Sequence, residues 1–355
     1  MDRGARPRVV LGMSGGVDST AAAWLLLEEG YDVTGVTLRL YDGGCGGEDA
    51  VQRAAQACDQ LGIPHRVAAD EERFSREVLD YFAASYRAGL TPNPCVRCNR
   101  TVKFPGLLEA ADREGARYLA TGHYARVREM GGRFLLQRGA DRSKDQSYFL
   151  YALPQSVLAR TLFPLGGLTK AEVRRIAAAR GLEAAHRRDS QDICFLPDGD
   201  YPAFLARHTG EDCPPGDFLD GDGNVIGRHE GHVRYTLGQR RGLRIALGQR
   251  TYVVGKDPAR NTVTLGGEDA LYARRTVADH LNWIACDRLD SPCRLTAKTR
   301  YSQTEAAVTV RQTGEDELTA VFDTPQRAVT PGQALVLYDG ETVVGGGTIC
   351  QTEEI

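Results

Sequence analysis

The sequence predicts an α/β protein: a doubly wound parallel sheet, then a small central mostly-β domain, then a C-terminal antiparallel β-barrel. Up to about residue 199, short apolar runs alternate with stretches of helical periodicity, which is the pattern of a parallel sheet. From about residue 212 the chain consists of turn-rich, short alternating segments, which are typical of antiparallel strands. Because 355 residues exceed one typical domain, we expect three, at 1–199, 200–273 and 274–355.

The elements of the first domain follow from local patterns. The stretch 21–27 is apolar all round and predicts a covered helix. Cys58 shares an apolar helical face with its neighbours at helical spacing and is most simply a core residue. Thr169 and Glu172 form a capping box at the start of a later helix. Strands are predicted where short apolar runs occur, at 9–11, 33–40, 63–68 and 118–121.

The rest of the chain reads as β structure. Between the short segments at 218–219 and 225–226, residues 220–224 resemble the start of a calcium loop, but Val225 and Gly231 occupy its glycine and glutamate positions. We therefore predict a hairpin turn there. Six alternating segments predict a small antiparallel barrel, at 276–284, 293–298, 306–310, 318–322, 334–337 and 342–349.

Composition narrows the class of protein. The formal net charge of −3 does not indicate nucleic-acid binding, although net charge says little about a local basic patch. No apolar run approaches the length of a membrane span, and the polar start is unlike a signal peptide. Nine cysteines, an odd number over a large chain, argue against a secreted disulfide framework. We expect a cytoplasmic enzyme with working thiols and no membrane partner.

The first chemical motif is Ser-Gly-Gly-Val-Asp-Ser at 14–19, between a buried strand and a helix. Glycines let the backbone expose its N–H groups, and a helix N-terminus adds positive potential, so this turn is an anion site. The turn lacks the lysine of a Walker loop and the spacing of a dinucleotide fingerprint. It resembles the PP-loop of ATP pyrophosphatases, which cleave ATP to AMP and pyrophosphate while adenylating a substrate oxygen.

The second motif is Thr-Pro-Asn-Pro-Cys-Val-Arg-Cys-Asn-Arg at 91–100. Its two prolines predict an extended loop that excludes helix. Arg97 and Arg100 flank the two thiols and should favour thiolates. A single Cys-x-x-Cys supplies too few ligands for a zinc site, and the prolines argue against a thioredoxin-like motif. A structural or metal-binding pair remains the alternative. A third motif, 189–195, contains Cys194, which by itself is more often core than catalytic.

Taken together, these motifs resemble the bacterial tRNA-specific 2-thiouridylases, which replace O2 of the wobble uridine by sulfur. The resemblance runs nearly from end to end. The matching segments lie at 14–19, 91–94, 98–99, 121–124, 144–148, 189–195, 235–240 and 300–301.

The resemblance implies a role for each matching residue. Cys194 would carry a persulfide, and Cys98 would be the nucleophile that forms a transient disulfide with it. ATP, with Mg²⁺ served by Asp18, would be bound by Gly12, Met13, Ser14, Gly15, Gly16, Val17, Asp18, Ser19, Leu38 and Gly122. The tRNA would be contacted by Asn93, Pro94, Cys95, His123, Lys144, Asp145, Gln146, Arg300, Tyr301 and Gln333.

The implied reaction suits these residue types. A uracil carbonyl has no leaving group, so attack of O2 on the α-phosphate of ATP must come first, and the loop amides would stabilise the charge that develops. Sulfur then replaces AMP at C2. The sulfur would come from a donor such as a cysteine desulfurase or a sulfur-relay protein. Many family members have Asp where this chain has Cys95, which leaves open an iron–sulfur cluster on Cys95, Cys98 and Cys194.

Two other classes of function compete. PP-loop ligases and amidotransferases adenylate a carboxylate or carbonyl and add nitrogen, but the sequence shows no glutaminase-type nucleophile to supply ammonia. A non-enzymatic tRNA-binding module with a structural metal would leave the PP-loop without a purpose. The thiols favour sulfur transfer.

Overall fold

The computed structural model describes residues 6–42, 46–186, 193–245 and 248–354. By its internal contacts the chain forms two units. The first consists of Met1–Val78, Cys95–Gly199 and Glu341–Val343, and the second of Leu79–Pro94, Asp200–Gly340 and Val344–Ile355.

The first unit is built on a parallel sheet. Its strand order is β3-β2-β1-β4-β7, with every neighbouring pair parallel. The four predicted strands are confirmed, and a short fifth extends the edge. The strands of this unit are β1 (Arg8–Gly12), β2 (Asp32–Arg39), β3 (His65–Ala69), β4 (Tyr118–Ala120), β5 (Ala125–Met130), β6 (Arg133–Arg138) and β7 (Thr161–Leu162).

Helices connect the parallel strands, as expected for a doubly wound sheet. The α-helices of the described chain are α1 (Val17–Glu28), α2 (Glu48–Leu61), α3 (Glu71–Phe74), α4 (Tyr81–Arg87), α5 (Pro94–Cys98), α6 (Phe104–Arg113), α7 (Ser147–Leu150), α8 (Gln155–Leu158), α9 (Lys170–Ala179) and α10 (Tyr201–Thr209). Two π-helical stretches, Ser75–Asp80 and Asn99–Lys103, lie between α3 and α4 and between α5 and α6.

Three local predictions are confirmed. Helix α1 buries residues around most of its circumference, in a core cluster that also contains Leu11 and Val33. Cys58 is fully buried on the inner face of α2, and this burial raises its pKa to about 11. Thr169 caps α9, with the Glu172 backbone N–H donating to its hydroxyl and the Glu172 carboxylate accepting from the Thr169 backbone N–H.

The extended loop predicted at 91–100 is wrong beyond Asn93. Helix α5 begins at Pro94 and contains both Cys95 and Cys98. Proline is accepted in the first turn of a helix because the N–H that it lacks would have no intrahelical partner there. Only the residue before each proline is restricted to extended backbone, so the two prolines mark a helix start and do not exclude a helix.

The sequence analysis did not identify the antiparallel hairpin of β5 and β6. Its turn is Gly131-Gly132, and both residues have positive φ, at 63° and 78°. A Gly-Gly pair between alternating segments is a recognised hairpin signal, because such turns need positive φ at both central positions. This signal was present in the sequence.

The second unit contains a four-stranded sheet and a barrel. The sheet has the order β10-β11-β8-β9, from β8 (Gly216–Leu219), β9 (Val225–His229), β10 (Tyr252–Asp257) and β11 (Thr262–Gly266). The predicted hairpin turn between β8 and β9 is confirmed, and the Asp220 carboxylate accepts the backbone N–H groups of Asp222 and Asn224.

The predicted six-stranded barrel is also confirmed. Its antiparallel ladder closes because the first strand pairs with the last as well as with a neighbour. The strands are β12 (Tyr272–Trp283), β13 (Cys293–Lys298), β14 (Ala306–Gly314), β15 (Glu317–Arg327), β16 (Ala334–Asp339) and β17 (Thr342–Glu354). Alternate residues such as Val308, Val310 and Phe322 fill its core. Within the described ranges, no helix has the length and apolarity needed to cross a membrane.

Candidate nucleotide and thiol site

A cavity of about 820 Å³ lies at the carboxyl ends of β1, β2 and β4 in the first unit. The strand order reverses between β1 and β4, and such a switch point is where parallel sheets bind ligands. Of the ten residues predicted to bind ATP, nine line this cavity: Gly12, Met13, Ser14, Gly15, Gly16, Asp18, Ser19, Leu38 and Gly122. The tenth, Val17, is buried in the core beneath the loop.

The turn after β1 has the geometry of an anion cradle. Gly15 has φ +69°, and a Cβ there would lie 2.6 Å from the Arg53 Cβ of α2, so only glycine fits without strain. Helix α1 begins at Val17, and its N-cap residue, Gly16, gives no side-chain cap, which leaves the first N–H groups of the helix for a ligand. The Ser14 and Ser19 hydroxyls lie 3.2 Å apart beside this turn.

An ion pair adjoins the cradle. The Lys170 ammonium lies 2.8 Å from both carboxylate oxygens of Asp18, and the Tyr124 hydroxyl donates to Asp18 Oδ1 at 2.7 Å. Lys170 is only 9% exposed, although its charge makes burial costly without a partner. Lys170 is not among the residues that line the cavity, and the structure shows its ammonium in this ion pair with Asp18.

Sequence reasoning recognised the cap of α9 but missed Lys170, its first residue. The Asp141 carboxylate accepts the Lys170 backbone N–H at 3.0 Å, and this hydrogen bond is the largest cause of the lowered pKa of Asp141. The loop that follows β6 thus fixes the start of α9 and, with it, the ammonium. The only available signal was a lysine directly after a capping threonine, and that pattern does not identify a partner 152 residues away.

His123 lines the same cavity, in the turn that follows β4. Its ring stacks on Phe104 at 5.9 Å between centroids, and the Thr121 hydroxyl lies 2.7 Å from Nδ1. Burial, followed by the charge of Lys103, lowers the pKa of His123 well below its ordinary value. This shift disfavours the imidazolium form, which suits contact with a base better than pairing with a phosphate.

The predicted tRNA-contacting segment 144–146 divides into three environments. Gln146 lines the cavity, and its side-chain oxygen accepts the Tyr124 backbone N–H at 3.0 Å. Asp145 is buried, and its two oxygens accept from Gly139 and Ser147, so its carboxylate is engaged within the protein. Lys144 is half-buried and remains a predicted RNA contact.

The three predicted thiols also differ in environment. Cys194 lines the cavity, Cys98 is buried at the end of α5, and Cys95 is exposed. Arg97, predicted to favour thiolates, donates to the Glu77 carboxylate at 2.6 Å, so its charge is already paired. Residues 189–192 of the motif before Cys194 lie outside the described residues.

Two inorganic cofactors were expected, and their fit differs. Among the described residues, which include Cys95, Cys98 and Cys194, no three His, Cys, Asp or Glu side chains are placed to hold a metal ion. The ligand set of an iron–sulfur cluster is thus not assembled. A Mg²⁺ site needs fewer protein ligands, because this ion is commonly held by one or two carboxylates together with substrate phosphates. Asp18, which faces the cavity beside the phosphate turn, fits such a site.

The second unit holds the remaining predicted tRNA contacts. Arg300 and Tyr301 follow β13 and are half-buried, and the Arg300 guanidinium donates to the Thr330 hydroxyl at 2.6 Å. Gln333 donates its side-chain amide to the backbone oxygens of Thr91 and Pro92. Asn93 and Pro94 complete the predicted set and connect Pro92 to α5.

Arg300 also lines a cleft of about 630 Å³ in this unit, which we call the arginine cleft. Its wall includes two further arginines, Arg234 and Arg244, and two tyrosines, Tyr201 and Tyr235. Arg234 and Arg244 are exposed, and Arg244 pairs with Glu230 at 2.5 Å. Exposed arginines beside aromatic rings are suited to a polyanion such as RNA.

Three families match consecutive parts of the chain. Residues 7–198 match the family described as the tRNA methyl transferase HUP domain. Residues 202–267 match the tRNA methyl transferase PRC-barrel domain, and residues 273–349 match the aminomethyltransferase β-barrel domain. The first match alone covers more than half of the chain.

Curated relatives match over nearly the full length. The tRNA-specific 2-thiouridylase MnmA of Lachnoclostridium phytofermentans is 47% identical over 353 residues, covering 96% of this chain and 99% of the relative. The protein of the same name from Heliobacterium modesticaldum is 48% identical, covering 98% and 93%. That from Acetivibrio thermocellus is 44% identical, covering 97% and 99%.

Proposed function

Because this chain belongs to the family of tRNA-specific 2-thiouridylases, we propose that it replaces O2 of the wobble uridine of tRNA by sulfur in an ATP-dependent reaction. The observation that carries the proposal is one cavity lined by the glycine turn at 14–19, the imidazole of His123 and the thiol of Cys194. Adenylation needs the turn, base recognition suits the imidazole, and sulfur transfer needs the thiol.

The nucleotide would lie with its phosphates on the turn at 14–19. Backbone N–H groups at the start of α1 would hold the pyrophosphate, and the ammonium of Lys170 would lie within reach of the same charge. Asp18 would be the protein ligand of Mg²⁺, which when bound neutralises phosphate charge. Asp18 is held on two sides, by Lys170 and Tyr124.

The target uridine would be splayed out of the anticodon loop to enter the cavity. There O2 attacks the α-phosphorus of ATP, the bond to the β-phosphate oxygen breaks, and pyrophosphate leaves. His123 would offer an aromatic ring near this point. The RNA backbone would be held by Lys144, by Tyr301 and by the arginine cleft, which Arg300 lines. Asn93, Pro94 and Cys95 would lie nearest the base.

Sulfur transfer would use two thiols in sequence. The terminal sulfur of a Cys194 persulfide attacks C2, and AMP leaves with the original oxygen. The Cys98 thiolate then attacks Sγ of Cys194, so that the sulfur–sulfur bond breaks and its electron pair completes the 2-thiocarbonyl. A disulfide between Cys98 and Cys194 results, and an external dithiol must reduce it before a donor such as a cysteine desulfurase or sulfur-relay protein reloads Cys194.

The proposal retains two broader expectations. The division into an ATP-pyrophosphatase domain at 1–199, a tRNA-binding domain at 200–273 and a barrel at 274–355 follows the three consecutive family matches. Since tRNA is the substrate, the enzyme would act in the cytoplasm.

The test is to incubate the protein with unmodified tRNA, ATP, Mg²⁺ and a persulfide donor, and to analyse the nucleosides by mass spectrometry. We expect 2-thiouridine, with one pyrophosphate released for each sulfur inserted. The Cys194→Ala variant should release pyrophosphate without forming 2-thiouridine. Absence of both products with fully loaded wild-type protein would contradict the proposal.

The same assay separates the other classes. Two matching families carry the description methyl transferase, so S-adenosylmethionine should be supplied in one arm, and a methylated uridine there would favour that activity. A nitrogen-adding ligase would convert the base with ammonia and without persulfide. The thiol that lines the cavity favours sulfur over both alternatives.

A further inference from the structure

A loop of the barrel holds the segment that precedes the Cys98 helix. The loop comprises residues 328–333, between β15 and β16, and we call it the clamp. The Thr91 backbone N–H donates to the Pro331 oxygen at 2.9 Å. The Gln333 side-chain amide donates in turn to the Thr91 oxygen at 2.8 Å and to the Pro92 oxygen at 3.3 Å. Both polar groups of the Thr91 backbone are thus held by the clamp.

Gly332 of the clamp lies close against the backbone of Thr91. Gly332 has φ +92°, and a Cβ there would lie 2.9–3.0 Å from three backbone atoms of Thr91. Real Cβ atoms do not pack so tightly against backbone, so a larger residue would push the two segments apart. The fit requires a glycine next to the glutamine.

The clamp is itself anchored on the barrel. The Gly332 backbone N–H donates to the Ile349 oxygen, and the Ile349 N–H donates to the Gln333 oxygen, each at 2.8 Å. On the other side, Thr330 is buried and its hydroxyl both donates to the Ala328 oxygen and accepts from Arg300. Because the clamp is anchored on both sides, the segment that it binds has a fixed position relative to the barrel.

The segment bound by the clamp leads directly into α5, the helix that contains Cys98. From Thr91 the chain runs through Pro92, Asn93 and Pro94, and Pro94 is the first residue of α5. Each proline fixes its own φ and restricts the residue before it, so the segment 91–94 has few conformations. Cys98 is the last residue of α5, and a displacement of this segment would move the Cys98 thiol.

Resting on the proposed function, we infer that Gln333 is a positioning residue for the Cys98 thiol: through Thr91 and Pro92 it sets where α5 begins. The RNA contact that the resemblance to the family implies for Gln333 stays a prediction, and the side-chain amide donates to two backbone oxygens of the protein. A misplacement of about 1 Å at a reacting group can cost on the order of 100-fold in rate without any change in substrate binding.

The experiment compares wild type with Gln333→Leu, which keeps the volume and loses both donors. Gln351→Leu is the matched control, because Gln351 lies exposed on β17 of the same barrel. The thiolation rate at saturating tRNA should fall about 10-fold or more in Gln333→Leu, while the Kd for tRNA stays within about twofold of wild type. Gln351→Leu should change neither quantity. Gln333→Asn, whose shorter side chain keeps its polarity but loses its reach, replaces Gln333→Leu if the latter does not fold.

A second readout does not depend on thiolation. Hydrogen exchange of the peptide covering residues 90–98 and alkylation of buried Cys98 should both become faster in Gln333→Leu and not in Gln351→Leu. If wild type formed no 2-thiouridine, the proposed function would fail, and this readout would still decide whether the clamp holds α5. The inference is overturned by unchanged exchange and alkylation, or by a rise in the Kd for tRNA as large as the loss of rate.

Discussion

The PP-loop cavity and the arginine cleft use positive charge in opposite ways. Beside the cavity, Lys170 is buried and paired with Asp18, while Arg53, Lys103 and the backbone at the start of α1 supply positive potential at the cavity wall. In the cleft, Arg234 and Arg244 are exposed to solvent. Buried, preorganised charge acts on a reaction and is little screened by salt, whereas exposed charge acts on binding and is screened strongly.

This difference predicts which property, reaction rate or tRNA affinity, each kind of substitution should change. A change in the cavity should lower rates and leave tRNA affinity nearly unchanged. A change in the cleft should alter tRNA affinity and its salt dependence while adenylation of a bound uridine continues.

The largest effect is expected from the two active-site thiols, where thiolation should be lost and ATP binding kept. Cys194→Ala and Cys98→Ala should each abolish thiolation while ATP affinity stays within about twofold of wild type, because neither thiol belongs to the phosphate turn. Isothermal titration with a non-hydrolysable ATP analogue and nucleoside mass spectrometry measure the two quantities. Cys293→Ala, a half-buried barrel cysteine, is the control. Retained thiolation in either active-site variant would remove that cysteine from the mechanism.

Next in size are the two partners of the buried ion pair. Asp18→Asn and Lys170→Met should each slow adenylation by about 100- to 1000-fold, because the first removes the proposed ligand of Mg²⁺ and the second removes the cation paired with it. Affinity for tRNA should stay unchanged in both. Titration with Mg²⁺ separates their roles: only Asp18→Asn should shift the Mg²⁺ dependence if Asp18 is the metal ligand. Equal losses of rate and tRNA affinity would break the contrast between the cavity and the cleft.

A smaller effect is expected from the backbone of the turn. Gly15→Ala would place a methyl group against Arg53 at φ +69°, a strain of about 1–3 kcal/mol. We expect ATP affinity to fall about 10-fold, since the turn must open to relieve the contact. Gly167→Ala is the control, because a Cβ there meets nothing within 4 Å. Equal ATP affinities in the two variants would show that the turn is not the phosphate site.

In the arginine cleft the expected change is a few-fold. Arg300→Ala should weaken tRNA binding modestly and reduce the slope of log affinity against log salt by about one, since one phosphate contact is lost. Affinity measured by filter binding at several salt concentrations gives the slope. Adenylation at saturating tRNA should be unaffected. An unchanged slope would place Arg300 outside the RNA interface.

The smallest effect is predicted at the exposed thiol. Cys95→Asp, which restores the commoner family residue, should leave thiolation within about twofold of wild type, because the persulfide route uses two thiols only. The assay should use anaerobically purified protein with iron and sulfide analysed in parallel. Activity that tracks iron content, and falls in Cys95→Asp, would instead favour a cluster.

The sequence predicted the parallel sheet, the barrel and the phosphate turn because each depends on short-range pattern. Val9 to Leu11 are apolar because they are buried on both faces, and Gly15 is glycine because its φ is positive. Contacts between distant residues have no such pattern. Lys170 with Asp18 and Gln333 with Thr91 are separated by more than 150 residues, so only the fold brings them together.

The segment near the thiols shows where a local pattern is not enough. Two prolines predict an extended loop, but Pro94 begins α5, because the effect of a proline depends on its position in the helix. Arg97 pairs with Glu77, which lies on a different helical stretch, and its effect on the thiols stays a prediction.

The path of the chain between the two units has a consequence for biosynthesis. Glu341 to Val343, near the C-terminus, belong to the first unit, where the Glu341 backbone oxygen accepts from Arg138 and its carboxylate accepts from Arg126 at 2.9 Å. Residues 79–94 belong to the second unit, most of which is translated later. On a ribosome, which releases the chain from its N-terminus, the first unit is complete only when Glu341 to Val343 emerge, and the second only when the residues after them follow. We therefore expect nascent chains truncated near residue 199 to be unstable and readily degraded by proteases.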